Sequence, residues 1–298
     1  MRLKAHHSLS PGTICLLVSL STSLLVSWNA QAGDKEKLTA EEVVARHLKS
    51  MGAPEDLASV KTRVAAGTSV FNLRSPGSGQ NSGLSILFSQ GNQSVIAMNF
   101  KNADYPHEKF GYDGEKLIIS YIRPGIRSTL GDFVFQRSAI FKDGLMGGTL
   151  STAWPLLNFD KTKAKLEYAG KKKVDGREVH VLRYSPRKGS DVKISIFFDG
   201  ETFQHVRTEY DQTVSAQMGR TPDAAKDQQR DLHYELVEQF SDFKQVGKLV
   251  LPHTYKIKLM MERNPSGTYL ADWEMNLSKF SFNQPLEEKW FDVNAASN

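Results

Sequence analysis

Eight histidines, four acidic residues close in sequence and one stretch of oversized apolar side chains are where this sequence could do chemistry. A bound zinc wants histidines at a fixed short spacing, as in H-E-x-x-H. His6, His7, His47, His107, His180, His205, His233 and His253 contain no such pair, and five of them fall on separate predicted strands or turns. A glycosidase needs two carboxylates flanking one bond. Asp199, Glu201, Glu209 and Asp211 are close in sequence, but Asp199-Gly200-Glu201 reads as turn chemistry, and Glu209 and Asp211 read as one solvated strand face. A serine nucleophile would sit in G-x-S-x-G, and a nucleotide phosphate on a P-loop or G-x-G-x-x-G turn. None of these patterns occurs, and Gly77-Ser78-Gly79 is a loop. The expectation is a protein that is not an enzyme and uses no metal or cofactor, with an exported hydrolase kept as the minority reading.

What remains is the chemistry of burial. Residues 129–159, TLGDFVFQRSAIFKDGLMGGTLSTAWPLLNF, place Phe133, Phe135, Ile140, Phe141, Leu145, Met146 and Trp154 in a segment too interrupted for a strand. It is also no membrane span, which needs ~20 consecutive apolar residues. Leu130, Val134, Phe141 and Leu145 share one side of a helix, and Met146, Leu150 and Trp154 stand four apart in a second short run that Pro155 stops. Gly144, Gly147 and Gly148 join the two. Helices this short are marginal in water, so the pair must lie on a large apolar surface. Two outcomes stay open. The pair is a plug that belongs to the core, or it is a lid, hinged at the glycines, whose underside binds an acyl chain through adaptable Met and Phe contacts.

The surface must come from the rest of the chain. Thr39-Ala40-Glu41-Glu42 is a capping box, and Val43, Val44, His47, Leu48 and Met51 follow at helical spacing until Gly52. Beyond it the period changes from 3.6 to 2, as antiparallel strands with one dry face require. About ten strands are predicted from twelve segments, roughly 62–73, 83–90, 93–100, 107–112, 115–122, 163–171, 177–185, 191–198, 203–213, 231–244, 248–263 and 267–282. Gly91-Asn92, Asp113-Gly114, Asp175-Gly176 and Asp199-Gly200 supply the tight turns, and Ser215 to Gln229 reads as a polar hairpin tip. The predicted ligand-binding residues are Phe133, Phe141, Leu145, Met146 and Trp154 on the lid side. Leu84, Ile86, Phe88, Ile96 and Met98 are their expected counterparts on the dry face of the sheet.

Arg2 and Lys4, an apolar run from Ile14 to Val26 and Ala30-Gln31-Ala32 form a secretory signal peptide with cleavage expected after Ala32. The single cysteine, Cys15, lies in that leader, so residues 33–298 form one expected domain without a disulfide. A formal net charge of +5 spread over 298 residues gives no basic face for nucleic acid.

Three stretches together carry a family resemblance: GLSILFSQGNQSVIAMNF (83–100), KKVDGREVHVLRYSPRKGSDVKISIFFDGETFQHVRTEY (172–210) and VEQFSDFKQVGKLVLPHTYKI (237–257). With the N-terminal helix and the apolar insertion, the chain resembles the LolA/LolB-like periplasmic carriers of the outer-membrane lipoprotein-sorting type. The resemblance spans nearly all of the chain after the leader, rests on pattern rather than a short motif, and transfers no residue role. It implies a mainly β fold, a strongly curved antiparallel sheet left open as a half-barrel around helices. It also implies a cavity holding lipid or the acyl chains of lipoproteins, in a periplasmic or secreted protein. A lipid-sensing module that signals to envelope membrane proteins is the alternative use of the same fold.

Overall fold

The computed structural model describes residues 38–162, 164–186, 190–215, 231–263 and 267–294. The leader and the polar tip expected at 215–229 therefore lie almost wholly outside the described residues. Helix α1 (Ala40–Met51) opens on the expected capping box, with Thr39 accepting from the Glu42 amide and Glu42 accepting from the Thr39 amide at 2.7 Å. Its stripe of Val43, Val44, His47 and Met51 is buried. A one-and-a-half-turn helix, α2 (Pro54–Ser59), follows with proline at its first position, where the missing amide hydrogen costs nothing.

Every predicted strand segment forms a strand. The first series is β1 (Thr62–Ser75), β2 (Gly79–Gln90), β3 (Gln93–Phe100), β4 (His107–Tyr112) and β5 (Leu117–Ile119). The second is β6 (Lys165–Val174), β7 (Arg177–Ser185), β8 (Lys193–Asp199), β9 (His205–Val214), β10 (Leu232–Val246), β11 (Leu249–Arg263) and β12 (Gly267–Phe282). They make one antiparallel sheet in the order β5-β4-β3-β2-β1-β12-β11-β10-β9-β8-β7-β6. The chain thus enters the sheet in the middle and walks outward to the β5 edge. It then transfers to the opposite edge at β6 and walks back until β12 lies beside β1. The edges are not joined to each other, so the sheet is not a closed barrel.

One register differs from the expectation. Gly91-Asn92 is a two-residue turn, so Gln90 pairs with Gln93, Leu87 with Ile96 and Ser85 with Met98. Paired residues share a face, and here an even number always faces an odd one. Leu84, Ile86 and Phe88 consequently lie on the opposite face from Ile96 and Met98. Leu84 is 67% exposed and Ile86 36%. Phe88 is half-buried under the C-terminal segment, its ring 5.3 Å from that of Phe291. Leu87 takes the inner position instead.

The connection from β5 to β6 is the apolar stretch, and it departs from two regular helices. Helix α3 (Thr129–Gln136) is capped by Ser128, whose hydroxyl accepts from the Gly131 amide at 2.8 Å, and it ends at Arg137. Helix α4 (Ala139–Lys142) is a single turn. The run carrying Met146, Leu150 and Trp154 is turns and 3-10 helix, Gly148–Leu150 and Pro155–Lys161. Helix is refused where glycines adopt positive φ: Gly144 at 73°, Gly147 at 80° and Gly148 at 47°. A side chain at Gly148 would also come within 2.6 Å of the His205 ring, and one at Gly144 within 2.0 Å of the Ala153 carbonyl oxygen. Gly144 and Gly148, two of the three glycines expected to act as hinges, are positions where backbone passes close to other groups, whereas Gly147 needs glycine for its positive φ alone.

Gly125 has φ near 74° but open space around it. Alanine there should cost about 1 kcal/mol, the left-handed penalty alone. Gly148→Ala adds a clash in the core and should cost more than ~2 kcal/mol in denaturant unfolding. Equal costs at the two sites would show that the loop can move away from His205.

Candidate functional site

The concave face of the sheet is filled by the insertion. Leu130, Phe133, Val134, Ile140, Phe141, Leu145, Met146, Leu150 and Trp154 are all buried and share one core cluster with Ile96, Met98, Phe110, Ile196, Phe198, Leu236, Ile257, Trp273 and Met275. Phe133 packs on Tyr234 with ring centroids 5.8 Å apart, Phe141 on Phe110 at 6.1 Å, and Trp154 stacks on His205 at 4.6 Å. All five lid-side residues and two of the five sheet-side residues therefore meet in one interior. Leu84, Ile86 and Phe88 do not take part.

Polar groups fasten this plug to the sheet. Glu238 is fully buried and accepts from the Gly147 amide at 2.8 Å, from the Tyr210 hydroxyl at 2.7 Å and from the Tyr255 hydroxyl. Burial pushes its carboxyl up to about 7, and the hydrogen bonds oppose that rise only in part. Glu108, also buried, accepts from the Tyr105 hydroxyl and is bonded to the side chain of Ser128, the α3 cap. Burial again pushes its carboxyl up to about 7. The Trp154 indole donates to His47 Nε2 at 3.2 Å, which leaves the proton on Nδ1, 3.0 Å from the Phe203 carbonyl. Burial holds this imidazole down to about 4. His205 is likewise driven well below its ordinary range by burial and by neighbouring His47; its Nδ1 has no partner. The Arg137 guanidinium reaches Gln212 at 2.6 Å, and the Thr152 amide donates to the Ser89 hydroxyl at 2.8 Å. The two acids are not among the predicted site residues, although the signal exists. Glu238 stands at the same parity as Tyr234, Leu236 and Phe240, and Glu108 at that of Phe110 and Tyr112. An acid in the apolar register of a strand must be buried.

A large apolar opening lies at one end of the plug. A cleft of about 1200 Å³ runs between α1 and α2 on one side and the start of β1, the β2–β3 turn and the end of the plug on the other. Ala45, Leu48, Leu57, Ala58, Val60 and Leu157 give it apolar walls. Leu48, Leu57, Val60 and Leu157 pack in turn against a small buried cluster of Met51, Leu249 and Leu251. Arg63, 1% exposed, also lines the cleft and donates to the Thr149 carbonyl of the plug. Burial draws its guanidinium down to about 10.

No protein-family model and no curated protein matches the chain. Solved structures do. A LolA superfamily protein of Nitrosomonas europaea is 14% identical and aligns with 85% of this chain and 97% of its own at a TM-score of 0.44. A domain of the outer membrane lipoprotein-sorting type from Vibrio parahaemolyticus is 15% identical, covering 85% and 96%, with a TM-score of 0.42. A DUF1329 family protein from Desulfovibrio piger is 12% identical, covering 86% and 98%, with a TM-score of 0.40. Identities this low say nothing of a shared ligand.

The buried carboxylates and imidazoles set opposite pH trends. A carboxyl raised from 4.5 to about 7 contributes stability below 4.5 and loses it as pH rises through 7. An imidazole lowered from 6.5 to about 4 contributes above 6.5 and loses it as pH falls. The two oppose each other up to about pH 7, since the imidazoles of His47, His107, His180 and His205 are all lowered and the unfolded chain keeps part of their protons until then. A fall in melting temperature between about pH 7 and about pH 8 should therefore come from the carboxylates. The double variant Glu108→Gln/Glu238→Gln, which mimics the protonated acids, should flatten that limb. A limb as steep in the variant as in the parent would assign it to other groups.

Proposed function

We propose that this chain holds a lipid, or the acyl chain of a lipid-bearing molecule, in the cleft beside α1 and α2, as a carrier rather than an enzyme. The observation that supports this most is the mismatch between a full interior and an apolar opening at its rim. Side chains occupy the concave face. The cleft of about 1200 Å³ is larger than the ~300–1,000 Å³ usual for small-molecule sites and is walled by aliphatic groups. Half-buried leucines such as Leu48, Leu57 and Leu157 face it, and they gain from any chain that displaces water there.

The magnitude suits transfer. Each methylene removed from water contributes ~0.8 kcal/mol, so a dozen contribute roughly 10 kcal/mol gross. The ordering cost of association takes back much of that, leaving a complex tight enough to form and loose enough to release. The basic start, apolar run and Ala30-Gln31-Ala32 of the leader support export and action outside the cytoplasm, where an acyl chain needs a protein to cross water.

N-phenylnaphthylamine, an uncharged apolar dye, should bind the parent with a rise in fluorescence and be displaced by decanol. Leu57→Gln and Leu157→Gln, each at a half-buried wall position, should weaken the dye roughly tenfold or more with little change in melting temperature. Phe141→Asp, by contrast, should melt the protein, because that side chain is 2% exposed in the packed interior. A parent that binds neither dye nor decanol would overturn the proposal.

A further inference from the structure

The cleft is apolar but not neutral. Lys49, Lys61 and Arg63 line it, and no aspartate or glutamate does. Lys49 is exposed at its edge. Lys61 is also exposed, with Nζ 2.8 Å from the Ala58 carbonyl, so its head lies over α2. Asp56 of that helix is taken by Lys248 at 2.9 Å. Arg63 is the unusual member. It is as buried as a core leucine, yet among the described residues no carboxylate pairs with it. One of its terminal nitrogens is bonded to the Thr149 carbonyl, and its Nε is buried with no partner at all.

A buried cation without a counterion is costly, and buried polar groups left unpaired call for an explanation. Its burial holds the guanidinium down to about 10, so it remains charged at neutral pH. Along the cleft, aliphatic walls from Leu48, Leu57, Val60 and Leu157 adjoin this one unneutralised guanidinium and two lysines. That is the complement of an amphiphile whose tail is hydrocarbon and whose head is an anion. A planar guanidinium takes a carboxylate or phosphate with charge-assisted hydrogen bonds, about twice as strong as neutral ones.

We infer that the cleft selects amphiphiles with an anionic head, a carboxylate or a phosphate, seated on Arg63 with Lys61 and Lys49 at the mouth. This rests on the acyl-binding reading above and adds to it the charge of the cargo. The same site discriminates against uncharged and cationic amphiphiles, since only an anion relieves the buried cation.

Calorimetry with four probes of equal tail length tests it: decanoate, decyl phosphate, decanol and decyltrimethylammonium. Both anions should bind the parent roughly tenfold or more tighter than decanol, and the ammonium no tighter than decanol. Arg63→Met should bring the anions down to the level at which the same variant binds decanol. Lys49→Ala/Lys61→Ala, which alters exposed side chains only, should remove part of the anion advantage and most of its dependence on salt. That pair keeps the test valid if Arg63→Met does not fold. A preference for decyl phosphate over decanoate assigns the head to a phospholipid and the reverse to a free fatty acid, and either supports the inference. Decanol binding as tightly as the anions, or an anion advantage that survives both sets of substitutions, overturns it and leaves the acyl-binding reading standing. Failure of all four probes overturns that reading as well.

Discussion

The structure depends on one topological constraint. A chain that enters its sheet in the middle, finishes one half at β5 and must begin the other half at β6 has to carry a connection from edge to edge. In a curved sheet the short way lies over the concave face. Whatever makes that crossing is surrounded by inward-facing side chains from both halves of the sheet. It has to be apolar, and it has to satisfy its own backbone without a strand partner. The insertion meets both demands with short helical turns, positive-φ glycines and a hydrogen bond from the Gly147 amide to Glu238 on the sheet. Its composition follows from the route.

The same constraint explains the buried charges. Where the crossing loses regular helix, at Gly147 and at Ser128, its free donors meet Glu238 and Glu108. Where it leaves the interior, Thr149 takes Arg63 and Trp154 takes His47. These contacts come from β1, β4, β10 and α1, so the crossing is tied to distant parts of the sheet. Such ties cost desolvation, which is visible in the displaced pKa of each partner. They give the apolar plug a single seating that hydrophobic packing alone would not fix. The plug is held at many points, and the apolar cleft between its end and α1–α2 is open without any of those contacts being broken.

Much of this was legible in the sequence because it rests on local chemistry. The capping box at Thr39 and the Asp-Gly turns act over a few residues, and so does the alternation of apolar groups along each strand. The face of β2 was also legible, since the two residues Gly91-Asn92 fix Gln90 opposite Gln93 and so place Leu87, not Ile86 or Phe88, with Ile96. Leu84, Ile86 and Phe88 cannot share a face with Ile96 and Met98 across a turn of that length. The acids at apolar parity, Glu238 and Glu108, could be read the same way. The glycines of the insertion could not: a hinge and a close approach have the same sequence, and only the neighbourhood of His205 and Ala153 separates them. Nor could the cleft, whose walls come from α1, α2, β1 and residue 157, and whose charge balance appears only when Arg63 is seen without an anion.

The central claim is that a cargo chain lies at the rim of the plug and not beneath it. A fatty acid carrying a photoactivatable diazirine near the end of its tail, crosslinked to the protein and mapped by peptide mass spectrometry, tests this directly. Adducts should fall on α1–α2 and the start of β1, residues 45–63, and on the end of the plug, residues 152–158. Adducts concentrated on Ile96 to Phe110 or on residues 130–146 would place the tail between plug and sheet, and would contradict the account.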